Sequence, residues 1–388
     1  MLSKITIGLT TLVLCVACIF TYIQNTIWWA GFDLQNCLGC KPIIDWTDEV
    51  QRKISHQDVK TFQKNGVIVL QSVISPQKVA NLTEEVESLS DTFMSTILTK
   101  IILKQYLKYE HKLDTRSELI RDWAIHGPLS TWAAQLMNVK SARLYNCEKI
   151  YSTGESCSTS WHRDTVAAPF STNVKSVTIN IYLDDIGADG PNGDALIYVP
   201  KSHLNLDNPP DIDNLYEPNL KVGDVLVHDP HVYHTPSGKG CWKRRSLQFR
   251  YVESPTTFTF EPNRFPHGPI PWTFAHSPGV APHGLQQGDS LEGPWYPLVY
   301  PKTLDSEHIP IQGKPWSISN LLSISKKALD IAEQLGIGNE NCTLDEAAKS
   351  HIPYFGFDGI VTSCDNWEML SGLPVHKQGQ IKNTINIK

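Results

Sequence analysis

The chain lacks a strong net charge of either sign, and its basic residues are not gathered into clusters. Its 388 residues include 34 Lys and Arg against 40 Asp and Glu, which gives a formal net charge of -6 at pH 7. A protein that binds nucleic acid through the phosphates needs a basic face or stripe. We therefore exclude nucleic acid as a partner.

Charge is absent altogether near the N-terminus. No charged residue occurs from Ile5 to Phe32, and Ile5 to Ile23 is almost wholly apolar. A helix of that length spans a bilayer. The sequence therefore predicts a signal anchor, a transmembrane segment in residues 1–32, with the rest of the chain in the lumen of the endoplasmic reticulum or secretory pathway. The alternative is a cleaved signal peptide and a secreted protein.

The chain also lacks internal repeats, low-complexity tracts and paired zinc-finger cysteines. Cys37 and Cys40 form a lone C-x-x-C, which indicates two loop thiols or a local disulfide rather than a zinc site. Two glycosylation sequons begin at Asn81 and Asn341. They favour a lumenal location only slightly, because two sequons are expected by chance in a chain rich in Asn.

Beyond a linker at residues 33–45, the pattern changes twice. Residues 46–140 read as mainly helical, with helices expected at 55–65 and from Ser75-Pro76, and a strand at 66–73 between them. Residues 141–255 consist of short strands separated by turn residues, which is typical of an antiparallel β core. Residues 256–388 are rich in Pro, His, Gly and Trp. We interpret them as an extension that covers the core.

The β region contains a candidate metal-binding pair, His162 and Asp164. At positions i and i+2 of a strand the two side chains point to the same side. Non-haem iron oxygenases hold the metal with two histidines and one carboxylate, and leave other positions open. Taken alone, the pair is weak evidence, because His56 and Asp58 have the same spacing at the start of a predicted surface helix.

A third ligand should come from a later strand. Spacing alone does not choose among His228, His231 and His234, and His203 in the Pro200-Lys-Ser-His203 turn is a fourth candidate. Arg245 lies on the strand that follows, in an apolar row with Leu247, Phe249 and Tyr251. A planar guanidinium binds a carboxylate in bidentate fashion, so an inward-facing Arg245 would suit the distal carboxylate of 2-oxoglutarate.

Several motifs occur in the order seen in one known family. They are ISHQDVKTFQKNGVIVLQSVISPQKVANL, ARLYNCEKIY, STSWHRD, VTINIYLDD, LIYVPKSH, GDVLVHDPHVYHTPSG and RRSLQFRYV, within residues 50 to 255. With them the chain resembles the phytanoyl-CoA dioxygenase family. The resemblance implies a mainly β fold with flanking helices, built on a double-stranded β-helix of the jelly-roll or cupin-like type.

The resemblance also implies a site. By position, His162 and Asp164 match the family's H-x-D pair, His234 the distal histidine, and Arg245 the cosubstrate arginine eleven residues later. The implied cofactors are Fe(II), 2-oxoglutarate as cosubstrate, and O2. His203, His228 and His231 then take structural or neighbouring roles. Possible pocket residues are Tyr145, Lys149, Trp161, Thr178 and Asn180.

The implied function is a 2-oxoglutarate-dependent dioxygenase that hydroxylates a C–H bond of a small-molecule or lipid-like substrate and releases succinate and CO2. Relatives that halogenate lack the acidic ligand, whereas Asp164 is present. A membrane-anchored binding or sensor protein on the same fold is an alternative, and so is a zinc hydrolase, although the latter leaves Arg245 unexplained. The sequence does not choose among substrates, because one fold supports many functions.

Overall fold

The computed structural model shows a mainly β protein with helices on one side. The residues that it describes are 42–48, 54–89, 107–153, 163–171, 173–187, 196–206, 214–236, 243–259, 283, 285–293 and 295–301.

Within these ranges, four helices occur before residue 140. They are α1 His56–Asn65, α2 Pro76–Ser88, α3 Glu118–Ile125 and α4 Leu129–Met137. Helix α1 begins with a capping box, in which the Ser55 hydroxyl accepts from the Asp58 amide and the Asp58 carboxylate accepts from the Ser55 amide. Reciprocal bonds of this kind satisfy amide groups that have no partner within the helix. The helices predicted at 55–65 and from Ser75-Pro76 are confirmed.

Gly66 ends α1 in the left-handed conformation, with φ of 74°. A Cβ atom at this position would lie 2.5 Å from Nδ1 of His203. The same imidazole bonds the carbonyl of Gln63 through Nε2, at 3.0 Å. His203 therefore packs against the turn between α1 and the first strand.

The strands form two antiparallel sheets. The larger has the order β1-β6-β4-β8-β3-β2, with β9 also paired to β3, and the smaller consists of β5 and β7. Their bounds are β1 Val67–Leu70, β2 Leu107–Glu110, β3 Ala142–Thr153, β4 Ser176–Tyr182, β5 Leu196–Val199, β6 Val225–His228, β7 Tyr233–Pro236, β8 Lys243–Glu253 and β9 Leu298–Tyr300.

One face of the larger sheet packs against the helices. Leu247, Phe249 and Tyr251 of β8 are fully buried in the same apolar cluster as Trp123 of α3 and Trp132 of α4. The Tyr251 hydroxyl donates to the carbonyl of Ala124, at 2.9 Å. The apolar row of β8 therefore faces the helical layer.

The opposite face of the larger sheet, here called the inner face, is polar. Register pairs His228 with Thr178, Thr178 with Arg250, and Arg250 with Asn146. Residues that lie opposite one another in antiparallel strands point to the same side. These four side chains therefore form one row across β6, β4, β8 and β3. The smaller sheet covers the inner face, since the Tyr198 ring of β5 lies 5.5 Å from that of His228.

Residues 257–259, 283, 285–293 and 295–301 pack against the β core. Strand β9 pairs with β3, and Phe258, Trp295 and Tyr296 are buried beside Tyr145 and Phe170. Lys112 Nζ donates to the Trp295 carbonyl at 2.7 Å. This segment therefore forms part of the folded body.

No helix within the described ranges is both long enough and apolar enough to cross a membrane. The segment predicted as an anchor, residues 1–32, lies outside those ranges, as do most of the linker and residues 302–388.

Candidate metal centre

Asp164 begins a short 3-10 turn, Asp164–Ala167, and its side chain is buried. The Asp164 amide donates to the Pro230 carbonyl at 2.8 Å, which ties this turn to the loop between β6 and β7. The preceding residue, Arg163, reinforces the tie, because its Nη1 donates to the carbonyls of Ser202 and His231 at 2.9 and 2.7 Å. The turn that carries Asp164 is thus bonded to backbone carbonyls of segments about 40 to 70 residues later in the chain.

Two histidines face the Asp164 carboxylate. His228, the last residue of β6, has Nε2 at 3.0 Å from Oδ2, and His234 of β7 has Nε2 at 3.8 Å from Oδ1. The ligating atoms of all three residues lie within 4.8 Å of one another. Two imidazole nitrogens and a carboxylate oxygen form the donor set that suits non-haem iron(II).

The protons on the two imidazoles distinguish their roles. His234 Nδ1 lies 3.0 Å from the Val232 carbonyl, which can only accept, so Nδ1 carries the proton and Nε2 presents a lone pair. A second bond to a backbone carbonyl is typical of metal-binding histidines. His234 is therefore oriented as a metal ligand.

His228 has the opposite arrangement. Its Nδ1 lies 3.2 Å from Nδ2 of Asn180, an amide nitrogen that donates, and 3.2 Å from the Tyr198 hydroxyl. Nδ1 is then the acceptor, and the proton of the neutral ring is on Nε2, facing Asp164 Oδ2. His228 is therefore oriented as a hydrogen-bond donor to Asp164.

Arg250 of β8 also contacts Asp164. Its Nη1 lies 2.9 Å from Asp164 Oδ2, its Nε 3.1 Å from Glu148 Oε2, and its Nη2 2.6 Å from Gln248 Oε1. Glu148 in turn accepts from the Asn146 amide. All of these side chains are buried, and each charge lies next to one of opposite sign. A charge buried without such a partner costs several kcal/mol.

The structure does not bring Arg245 to this cluster. Its side chain is 35% exposed and forms two bonds to Asp184, at 2.8 and 2.6 Å, and one to Glu87 at 3.2 Å. These bonds, mainly those to Asp184, raise the pKa of the Arg245 guanidinium. Arg245 belongs to the row that faces the helices, so it points away from Asp164.

Its neighbour Arg244 lies in the alternate row and is buried on the inner face. Burial raises the pKa of Tyr182 to about 12, and the Arg244 cation opposes that rise. Burial also raises the pKa of Tyr198, and the Arg244 cation again opposes that rise. The Tyr198 ring stacks on His234, with 5.5 Å between the ring centroids. Arg244 is therefore close enough to Tyr182 and Tyr198 to influence both phenols.

Three of the predicted pocket residues lie near Asp164. Thr178 Oγ1 is 3.5 Å from Asp164 Oδ2, Asn180 contacts His228, and Tyr145 is buried where Arg250 and Asp164 influence its pKa, which burial raises. Lys149 is on the other face of β3, with Nζ over the Tyr151 ring at 5.4 Å. The remaining predicted pocket residue, Trp161, and the predicted metal ligand His162 lie outside the described residues.

The other histidines that the sequence offered as candidates have local partners. His231 Nδ1 lies 2.8 Å from Asp229 Oδ1 in the turn between β6 and β7. His203 contacts the end of α1, as described above. The competing H-x-D at His56 caps a helix on the surface, because the Asp58 carboxylate bonds Ser55.

Sequence reasoning missed Arg244, Glu148, Tyr198 and Arg250. The alternation of β8 contains a signal for two of them. Since Leu247, Phe249 and Tyr251 form an apolar row, Arg244, Ser246, Gln248 and Arg250 form the polar row of the same strand. A polar row on a covered strand indicates a site.

The fold and the site together define a class: a two-sheet antiparallel β protein with a carboxylate and imidazoles buried between its sheets. The family model of phytanoyl-CoA dioxygenase (PhyH) matches residues 62–239 of this chain. The resemblance seen in the sequence is thereby confirmed.

Several solved structures are similar to this chain. SnoN, a non-haem α-ketoglutarate-dependent epimerase of nogalamycin biosynthesis, is 20% identical, covers 62% of this chain and 96% of its own, and has a TM-score of 0.47. EctD from S. alaskensis in its apo form is 17% identical, covers 64% of this chain and 94% of its own, and has a TM-score of 0.42. Iron-bound HygX from Streptomyces hygroscopicus is 15% identical, covers 52% of this chain and 88% of its own, and has a TM-score of 0.41. No curated protein sequence matches this chain.

A buried histidine beside the site, His111, predicts a pH-dependent stability. Burial, with Arg250 and Lys112 nearby, lowers the pKa of His111 from 6.5 to about 3. The folded chain therefore keeps His111 neutral where the unfolded chain protonates it. The stability that this contributes is complete above about pH 6.5 and is lost as the pH falls toward 3.

We expect the free energy of unfolding of the wild type to fall more steeply than that of His111→Gln, by about 1.4 kcal/mol per pH unit between pH 6 and 4. Urea unfolding at several pH values measures the slope. His56→Gln, which removes an exposed histidine, is the control and should follow the wild type. Parallel slopes for His111→Gln and the wild type would contradict the prediction.

Proposed function

We propose that this chain is an iron(II)- and 2-oxoglutarate-dependent dioxygenase that hydroxylates a C–H bond of a small molecule. One observation carries the proposal: a buried carboxylate and two imidazoles converge on the inner face, where Arg244 is also buried. When iron(II) and 2-oxoglutarate are bound, their reaction with O2 supplies the oxidant for the substrate and yields succinate and CO2.

The ligands that we propose are His162, Asp164 and His234. The orientation of His234 supports its role as a metal ligand, because its Nε2 lone pair faces Asp164 Oδ1. His228 donates to the same carboxylate and is better placed to orient Asp164 than to bind iron. That leaves the second histidine of the donor set to His162, which the sequence places two residues before Asp164.

For the cosubstrate we propose Arg244 rather than Arg245. Its guanidinium is on the inner face, near Tyr182 and Tyr198, and Tyr198 stacks on His234. The guanidinium would bind the distal carboxylate of 2-oxoglutarate and orient its keto acid end toward the ligands. The covering sheet keeps water from this part of the site, which strengthens the charge pair.

The polarity of the inner face bears on the substrate. Thr178 and Arg250 contact the Asp164 carboxylate. Around them, Asn180 contacts His228, Gln248 contacts Arg250 and Asn146 contacts Glu148. A wall of this kind accommodates a molecule with polar groups more readily than a purely aliphatic chain, because apolar contact leaves polar groups without water. We propose a polar small molecule in place of the lipid-like alternative.

The ligand assignment predicts different results for three histidines. Under anaerobic conditions, addition of iron(II) and 2-oxoglutarate should produce the visible charge-transfer band of the chelated cosubstrate. We expect His162→Ala and His234→Ala to abolish the band, whereas His228→Ala should retain it at higher iron concentrations, about 10- to 100-fold. A band that survives in His162→Ala and disappears in His228→Ala would assign the ligand to His228 instead.

The two arginines predict a paired result in the same titration. Arg244→Ala should raise the 2-oxoglutarate concentration for half-maximal band intensity by about 10- to 100-fold, because a bond between two charged groups is lost. Arg245→Ala should leave it within about twofold, since Arg245 faces Asp184 and Glu87. The reverse pattern would return the role to Arg245. Iron binding by the wild type with no band at any 2-oxoglutarate concentration would exclude the cosubstrate.

We also propose that residues 1–32 anchor the protein in the membrane with its catalytic body in the lumen. Asn81 of the first sequon is exposed on α2. The protein made in microsomes should therefore carry glycans that endoglycosidase removes, and Asn81→Gln with Asn341→Gln should abolish the shift in mobility. An unshifted wild type that is digested by protease in intact microsomes would place the body in the cytosol.

A further inference from the structure

The two oxygens of the Asp164 carboxylate have different surroundings. Oδ2 lies 3.0 Å from His228 Nε2, 2.9 Å from Arg250 Nη1 and 3.5 Å from Thr178 Oγ1. Oδ1 faces His234 Nε2 at 3.8 Å. The groups around Oδ2 thus come from the cross-strand row of the inner face, while Oδ1 is directed at the second metal ligand.

Arg250 is itself held in place. Glu148 Oε2 accepts from its Nε and Gln248 Oε1 from its Nη2, so the nitrogens on three sides of the guanidinium are each bonded. Both acceptors lie on the inner face, in β3 and β8. A planar guanidinium bonded on all sides has little rotational freedom, and its position fixes that of the carboxylate it contacts.

We infer that Arg250, anchored by Glu148, is a positioning residue that holds Asp164 to the metal through one oxygen. This rests on the proposed function, since it concerns the metal that the site would bind. A carboxylate binds a metal through one oxygen or through both. With Oδ2 engaged by Arg250 and His228, only Oδ1 is directed toward the metal, and one more coordination position stays available to the keto acid of 2-oxoglutarate.

Loss of Arg250 should therefore affect the cosubstrate more than the metal. In Arg250→Gln, Oδ2 loses its cationic partner and can turn toward the metal. The carboxylate then takes a position that 2-oxoglutarate needs. Metal binding changes less, because removal of a nearby positive charge offsets the poorer orientation of the ligand.

The test uses the full-length protein with Co(II), whose visible absorption reports its coordination, followed by 2-oxoglutarate. We expect Arg250→Gln to alter the Co(II) spectrum before 2-oxoglutarate is added, and to weaken 2-oxoglutarate binding by about tenfold or more. Arg250→Lys, which keeps the charge, should restore part of both properties. Glu148→Gln should change both in the same direction by less, and it carries the test if Arg250→Gln does not fold.

The control is Arg116→Gln, which breaks a half-buried pair with Glu110 and should match the wild type. An unchanged Co(II) spectrum with weaker 2-oxoglutarate binding would overturn the inference and assign Arg250 to the cosubstrate. Parallel loss of Co(II) and 2-oxoglutarate binding would show that Arg250 has only a structural role. If the wild type itself binds no Co(II), the proposed function fails first and the inference fails with it.

Discussion

Burial of the Asp164 carboxylate is the constraint on which the site depends. A carboxylate between two sheets is stable only with cations or donors close to it. Here the row of polar residues across β6, β4, β8 and β3 supplies them, and Glu148 in turn balances Arg250. The same contacts therefore stabilise the charge and decide how it faces a metal.

The polar row is possible because the larger sheet has two unlike faces. Leu247, Phe249 and Tyr251 pack on the helices, while their neighbours along β8 point between the sheets. A shift of one residue in the register of β8 would exchange these faces. The apolar packing of the outer face thus determines which arginines reach the interior.

Much of the fold could be read from the sequence, because its signals are local. The cap at Ser55, Pro76 in the first turn of α2, and the β-branched run of β4 each depend on neighbouring residues. The motifs were enough to predict the resemblance to one family, which the match of the family model to residues 62–239 confirms. The site was predicted less fully. Asp164 and His234 do lie together, but Arg245 points to the opposite face, and His162 and the anchor remain predictions.

The sequence by itself therefore indicated the class of chemistry, because its motifs occur in the order seen in a family of iron-dependent dioxygenases. Only the tertiary structure decided what surrounds the site. Arg250 and Asp164 are 86 positions apart in the chain, and no local pattern specifies that a guanidinium and a carboxylate so distant will meet. Their contact arises from the register of β8 against β3 and β4, which is set by packing across the whole sheet.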